Sequence, residues 1–216
     1  MKFLFSSIGI KIQIALSGIL LSFFLLFHLL NNLVLFSGAE NFNNMVSFLK
    51  SIHILVRIME FGLLFIMLLH IVNTIVLAIK NKKSNGGQYA MAPQPGTAPL
   101  YSRAMIISGL TIFLFFIIHL RYFWYTFQIS EGSYFNIILQ NKFGFLGHFP
   151  TAIFYIISII FIAFHLRHGI LSSLKTFGVS HYYRSTLFKY IAFIFWGIIP
   201  IGFIIIILSI QIGVIS

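Results

Sequence analysis

Five long apolar runs constrain this chain more than any other feature. A helix that crosses a bilayer needs about 20 consecutive, predominantly apolar residues. Runs of at least that length cover about residues 12–36, 54–79, 104–127, 151–174 and 188–212. Hydrocarbon offers no partner for a peptide group, so each run must satisfy its own backbone as a helix. The expected fold is an all-α integral membrane protein of five transmembrane helices, with residues 1–216 forming one transmembrane domain.

Composition supports this reading, since 59% of residues are hydrophobic and 8% charged, against about a quarter charged in a soluble protein. The net charge of +11 does not point to nucleic acid. The basic residues sit in short runs beside the apolar segments, where they orient helices and contact lipid headgroups. The chain has no cysteine, which excludes disulfides, iron–sulfur ligation and covalent CxxCH haem attachment. Lys2 and Lys11 precede an apolar run too long for a signal peptide, so the first run is expected to be retained as a span.

Basic residues also give an orientation. Lys2, Lys11, Lys80, Lys82, Lys83, Arg103, Lys175, Arg184 and Lys189 fall on one side. The other side has Lys50, Arg57, Arg121 and Lys142 with all three acids, Glu40, Glu60 and Glu131. The richer side is expected to be cytoplasmic, which leaves the N-terminus inside and the C-terminus outside. Residues 37–51 (SGAENFNNMVSFLKS) and the amphipathic stretch from Glu131 to His148 read as polar loops on the outer side. The fifth helix is expected to bend or break near Pro200.

Within the apolar runs, four histidines stand out: His28, His70, His119 and His165, one on each of the first four helices. An unpartnered imidazole in hydrocarbon is costly. Two of the four belong to an internal repeat. Residues 17–29 (SGILLSFFLLFHL) and 108–120 (SGLTIFLFFIIHL) both carry Ser-Gly, nine residues and then His-Leu. Depths follow from the helix rise. His28 and His119 lie about 25 Å and 24 Å from the basic residues flanking their helices, Lys11 and Arg103, and His70 and His165 about 15 Å from Lys80 and Lys175. The histidines therefore sort into an outer pair, His28 with His119, and an inner pair, His70 with His165. Two imidazoles facing each other across a four-helix bundle suit bis-histidine ligation of haem b. The expected bundle holds two stacked haems b, with His28 and His119 on the outer iron and His70 and His165 on the inner. Gly18 and Gly109 fall near the inner level, where a missing side chain would leave room for a flat ring.

Other readings use the same residues. A lone intramembrane histidine serves as a helix–helix hydrogen bond or a proton relay, so a haem-free transporter built on histidine relays is the alternative of a different class. Zinc transport would want carboxylates or thiols nearby, and the spans offer none beside these histidines.

Across essentially the whole chain the residues resemble the five-helix, two-haem cytochrome b anchor of succinate:quinone oxidoreductases, meaning bacterial succinate dehydrogenase and quinol:fumarate reductase. The resemblance rests on one His per helix on the first four helices, the GAENFN loop, and Arg57 with Glu60 opening helix 2. It extends to the NKKSNGGQY linker, the YSRAM segment opening helix 3 and HLRHGILSS-LKTFG at the end of helix 4. It implies two haems b, a quinone (menaquinone in the two-haem members), and cytoplasmic flavoprotein and iron–sulfur subunits that carry the dicarboxylate chemistry. It also implies the bacterial inner membrane and is compatible with a dimer of the whole complex. The resemblance assigns the same ligand pairs, with His168 as a competing inner ligand one turn past His165.

The family pattern further implies a carboxylate near the outer haem that accepts the quinone proton. Glu60 is the first candidate and Glu40 the weaker one; for Glu60 the alternative is an i,i+3 ion pair with Arg57 that stabilises the helix end. Arg121 and Arg167, each two residues past a histidine, are candidates to hold haem propionates, the alternative being interfacial snorkelling. Some members carry a glutamate two residues before the helix-4 ligand; Ala163 stands there in this chain, which puts a transmembrane proton path through that position in doubt. A di-haem anchor of another quinone-linked enzyme, such as a hydrogenase or formate dehydrogenase, fits the same histidines.

Overall fold

A computed structural model describes residues 3–84, 105–130, 132–179 and 185–216. Lys2, Arg103, Glu131, His181, Arg184 and the linker through residues 85–104 lie outside the described residues, as do the side chains of Lys82 and Lys83. Most of the described residues are helical, with no strand among them. Five helices are long and apolar enough to cross a membrane: Ser7–Ser37, His53–Asn81, Ile107–Ile129, Phe149–Thr176 and Thr186–Gln211.

The first span is α1 (Ser7–Leu33) followed by one tight turn, Val34–Ser37. It starts five residues before the apolar run because Ser6 caps it, its hydroxyl accepting from the Gly9 amide at 3.1 Å. Capping satisfies an amide that the helix itself leaves unpaired, and hydropathy does not register it. The second span is α3 (His53–Ser84). The third begins as α4 (Met105–His119), passes through a π turn at Leu120–Trp124 and ends as α5 (Tyr125–Ile129). The fourth is α7 (Phe149–Thr176), opened by Pro150, whose fixed φ and missing N–H suit a first turn. It closes on Gly178 at φ +73°, where the Val179 amide bonds back to the Leu174 carbonyl at 3.0 Å, a left-handed terminus that favours glycine. The fifth span is α8 (Thr186–Phe193), a π turn at Ile194–Ile198, and α9 (Ile199–Gln211). The irregularity expected near Pro200 is that π turn, which precedes a proline unable to donate to the helix ladder.

Both stretches read as outer loops contain helix. Most of residues 37–51 form α2 (Ala39–Ser51), and α6 (Tyr134–Ile138) lies in the second stretch. The two pack together through Phe42 and Phe135, ring centroids 6.3 Å apart. Asn43 ties them further: its amide donates to the Ser133 hydroxyl at 3.0 Å, and its carbonyl accepts from the Phe135 amide at 3.1 Å. Lys50 donates to the Ser130 carbonyl at 3.2 Å and to the Tyr134 hydroxyl. The apolar side chains among these polar ones are buried, and with Leu29, Leu35, Tyr155, Ile159, Ile199 and Ile206 they form one core at this end of the bundle.

Helix α1 packs against α3, α7 and α9, α4 packs against α7, and α9 packs against α7. Thus α1 and α4 face each other across the interior, and so do α3 and α7. The α1–α3 contact is antiparallel, with its register fixed by three polar links. Lys80 donates to the Phe5 carbonyl at 2.8 Å, Asn73 to the Gln13 side chain at 3.1 Å, and Ser17 meets His70 at 3.0 Å. No residue in the apolar window of α3 is buried.

Candidate functional site

The inner histidines come from the two helices that face each other across one diagonal. His70 on α3 and His165 on α7 have ring centroids 6.4 Å apart. Each ring is met by a serine from a neighbouring helix: Ser17 Oγ lies 3.0 Å from His70 Nδ1, and Ser108 Oγ lies 3.3 Å from His165 Nδ1. Gly18 lies at the same level. A Cβ on it would stand 3.2 Å from His70 Cε1, tighter than ordinary contact. The absent side chain there makes way for an imidazole, whereas a Cβ on Gly109 would meet nothing within 4 Å.

The outer histidines span the other diagonal. His28 on α1 and His119 at the end of α4 have ring centroids 5.7 Å apart. Each stacks on the phenylalanine one turn earlier, Phe24 on His28 at 5.3 Å and Phe115 on His119 at 5.5 Å. Tyr155 and Phe123 complete the wall around His119, at 6.1 Å and 5.4 Å. Two buried side-chain polar atoms lack a partner among the described residues, His119 Nδ1 and the Tyr155 hydroxyl, and both belong to this cluster. Ser17 marks the inner level on α1 and His28 lies eleven residues on, so the two layers are about 16 Å apart along the helix.

Each layer has the spacing of two imidazoles that share one metal ion. Two imidazoles binding one ion from opposite sides at about 2 Å each have centroids roughly 6 Å apart, and both pairs have that separation. Each pair supplies only two donors, and among the described residues no three His or acidic side chains converge on a point. A metal held there would take its remaining ligands from elsewhere, and the iron of a porphyrin brings four of its own. Buried, unpartnered polar atoms are uncommon in folded proteins, and His119 Nδ1 with the Tyr155 hydroxyl marks the outer layer as a place with polar groups left to satisfy.

The remaining candidates lie at the outer end or along α7. Glu60 accepts from Arg57 Nη1 at 2.6 Å, the i,i+3 pair given above as its alternative role. The same guanidinium donates to the Gln128 side chain and lies 5.8 Å from the Trp124 ring, so the pair is tied to the third span. Glu40 is exposed in the first turn of α2, where a carboxylate favours the helix N-terminus. Arg121 covers the Tyr125 ring at 4.8 Å and Arg167 the Trp196 ring at 5.0 Å. His148 caps α7 beside Thr151, Nδ1 to Oγ1 2.9 Å, away from both layers.

Sequence reasoning gave no role to Ser17, Ser108, Phe24, Phe115 or Tyr155. The signal for four of these was present: the offset that aligns His28 with His119 also aligns Ser17 with Ser108 and Phe24 with Phe115. Each copy of the repeat thus carries a serine for the inner layer, and a phenylalanine and a histidine for the outer. Tyr155 had no such marker. No family model, curated protein or solved structure matches the chain.

Proposed function

We propose that the chain is the membrane-anchoring cytochrome b of a succinate:quinone oxidoreductase in a bacterial inner membrane. It holds two haems b, His70 and His165 binding the inner and His28 and His119 the outer. Electrons pass between menaquinone at the outer end and iron–sulfur and flavoprotein subunits docked at the cytoplasmic end. The observation that carries this reading is the meeting of four histidines from four different spans in two layers, each pair reaching across one diagonal of the bundle. When bound, haem supplies one-electron transfer from layer to layer.

The chain's own residues do the rest. The histidines supply axial nitrogens, and the phenylalanines stacked on the outer pair keep water from it. The core formed with α2 and α6 closes the outer end. At that end Glu60 offers a carboxylate able to exchange a proton with a quinone hydroxyl, held in place by Arg57. Arg121 and Arg167 offer guanidinium groups to propionates.

A reduced-minus-oxidised spectrum of purified membranes tests the reading. The expected result is a b-type signal equivalent to two haems per chain, reduced by about half in His28→Ala and in His70→Ala. A chain that shows no b-type absorbance is a haem-free bundle, and the reading is wrong. Co-purification of a flavoprotein that oxidises succinate separates this anchor from those of other quinone-linked enzymes.

A further inference from the structure

The two serines that meet the inner histidines are also bonded to their own helices. Ser17 Oγ also lies 2.7 Å from the Gln13 carbonyl, and Ser108 Oγ lies 3.0 Å from the Met105 carbonyl. A carbonyl can only accept, and a hydroxyl has one proton. A hydroxyl that donates to its own helix backbone presents a lone pair to the imidazole, and Nδ1 of His70 and of His165 then carries the hydrogen. A neutral ring protonated at Nδ1 has a bare Nε2, the state a metal ligand requires. The outer layer lacks this arrangement at His119, whose Nδ1 has no partner.

We propose that Ser17 and Ser108 are positioning residues that lock the inner histidines in the Nδ1–H tautomer and lower the reduction potential of the inner haem. The inference rests on the haem reading above. An acceptor at Nδ1–H makes the imidazole a stronger electron donor, which favours the more positive, oxidised iron. The two serines occupy equivalent places in the Ser-Gly/His-Leu repeat. Each copy therefore supplies a ligand to one layer and tunes the ligand of the other, which gives the two haems different potentials from one duplicated segment.

The test is a redox titration of the purified complex, monitored by b-type absorbance and low-spin EPR, with His70→Ala identifying the inner transition. Ser17→Ala and Ser108→Ala are expected to raise the inner midpoint and leave the outer one unmoved. A tenfold shift in the oxidised-to-reduced equilibrium would be 59 mV for a one-electron couple. Ser17→Thr and Ser108→Thr keep the hydroxyl and are expected to restore it. Ser22→Ala is the control: Ser22 bonds the Gly18 carbonyl at 2.8 Å, so it loses the same backbone bond without touching a histidine. Two well-resolved haems whose inner midpoint and EPR signal are unchanged in both alanine variants would overturn the serine assignment and leave the anchor reading standing. An equal shift in Ser22→Ala would also overturn it. Wild-type protein without b-type haem would overturn both, and the titration tells these failures apart.

Discussion

Small residues set the geometry of the inner layer. A Cβ at Gly18 would press on the His70 ring at 3.2 Å, while one at Gly109 would meet no protein atom within 4 Å. Gly18→Ala is therefore expected to displace the ring and weaken the inner b-type signal, leaving the outer signal in place. Gly109→Ala separates protein from ligand. The chain alone has room for the methyl group, so loss of inner haem in that variant would mean that a bound ring fills the space, and an unchanged spectrum would mean that none reaches it. At the outer end, Glu60→Gln removes a proton acceptor while keeping a group that can hydrogen-bond Arg57. Quinone turnover is expected to fall by about 10²-fold or more, the contribution of a general base, with both haem signals intact; turnover at the wild-type level would reduce Glu60 to a helix-end ion pair. The histidines were legible in the sequence because imidazole in hydrocarbon calls for an explanation. The serines were not, since a hydroxyl that bonds its own helix carbonyl is tolerated almost anywhere in a span.

Among the elements, the spans were readable from apolar length alone, and the four spans whose starts are described begin within five residues of the expected boundaries. The outer cap was not. In α2 polar residues surround the buried Phe42 and Val46, α6 is only five residues long, and short helices held by contacts distant in sequence read as loops. Asn43 joins them by two hydrogen bonds to residues about ninety positions away, a pairing no local pattern reveals. Asn43→Ala is expected to destabilise the cap by about 1–3 kcal/mol, the cost of leaving a buried group unpaired. Hydrogen exchange should then rise in 39–51 and 134–138 and stay unchanged in the spans. The π turn at Leu120–Trp124 was equally silent in sequence. It begins directly after His119 and inserts an extra residue without disturbing the repeat from Ser108 onward. Deleting one residue within it is expected to restore regular helix and keep Gln128 facing Arg57, whereas deleting one from the regular helix beyond it would turn Gln128 by about 100° away from Arg57.

For the molecule as a whole, basic-residue asymmetry predicts an orientation that labelling can check. The chain has no native cysteine, so single substitutions report cleanly. Ser84→Cys is expected to react only with reagent on the cytoplasmic side, and Ser216→Cys only with reagent on the outer side. The reverse pattern would invert the topology and move the quinone end of the proposal to the cytoplasm.

Helix α3 has no buried residue in its apolar window and packs chiefly on α1. Among lipid tails, apolar contact gives it little reason to stay. What holds it is a ladder of polar rungs, Lys80 to Phe5, Asn73 to Gln13, His70 to Ser17 and, on its other flank, Arg57 to Gln128. Replacing these side chains with leucine would make the helix greasier and yet detach it from its neighbours, so in this chain added hydrophobicity works against cohesion.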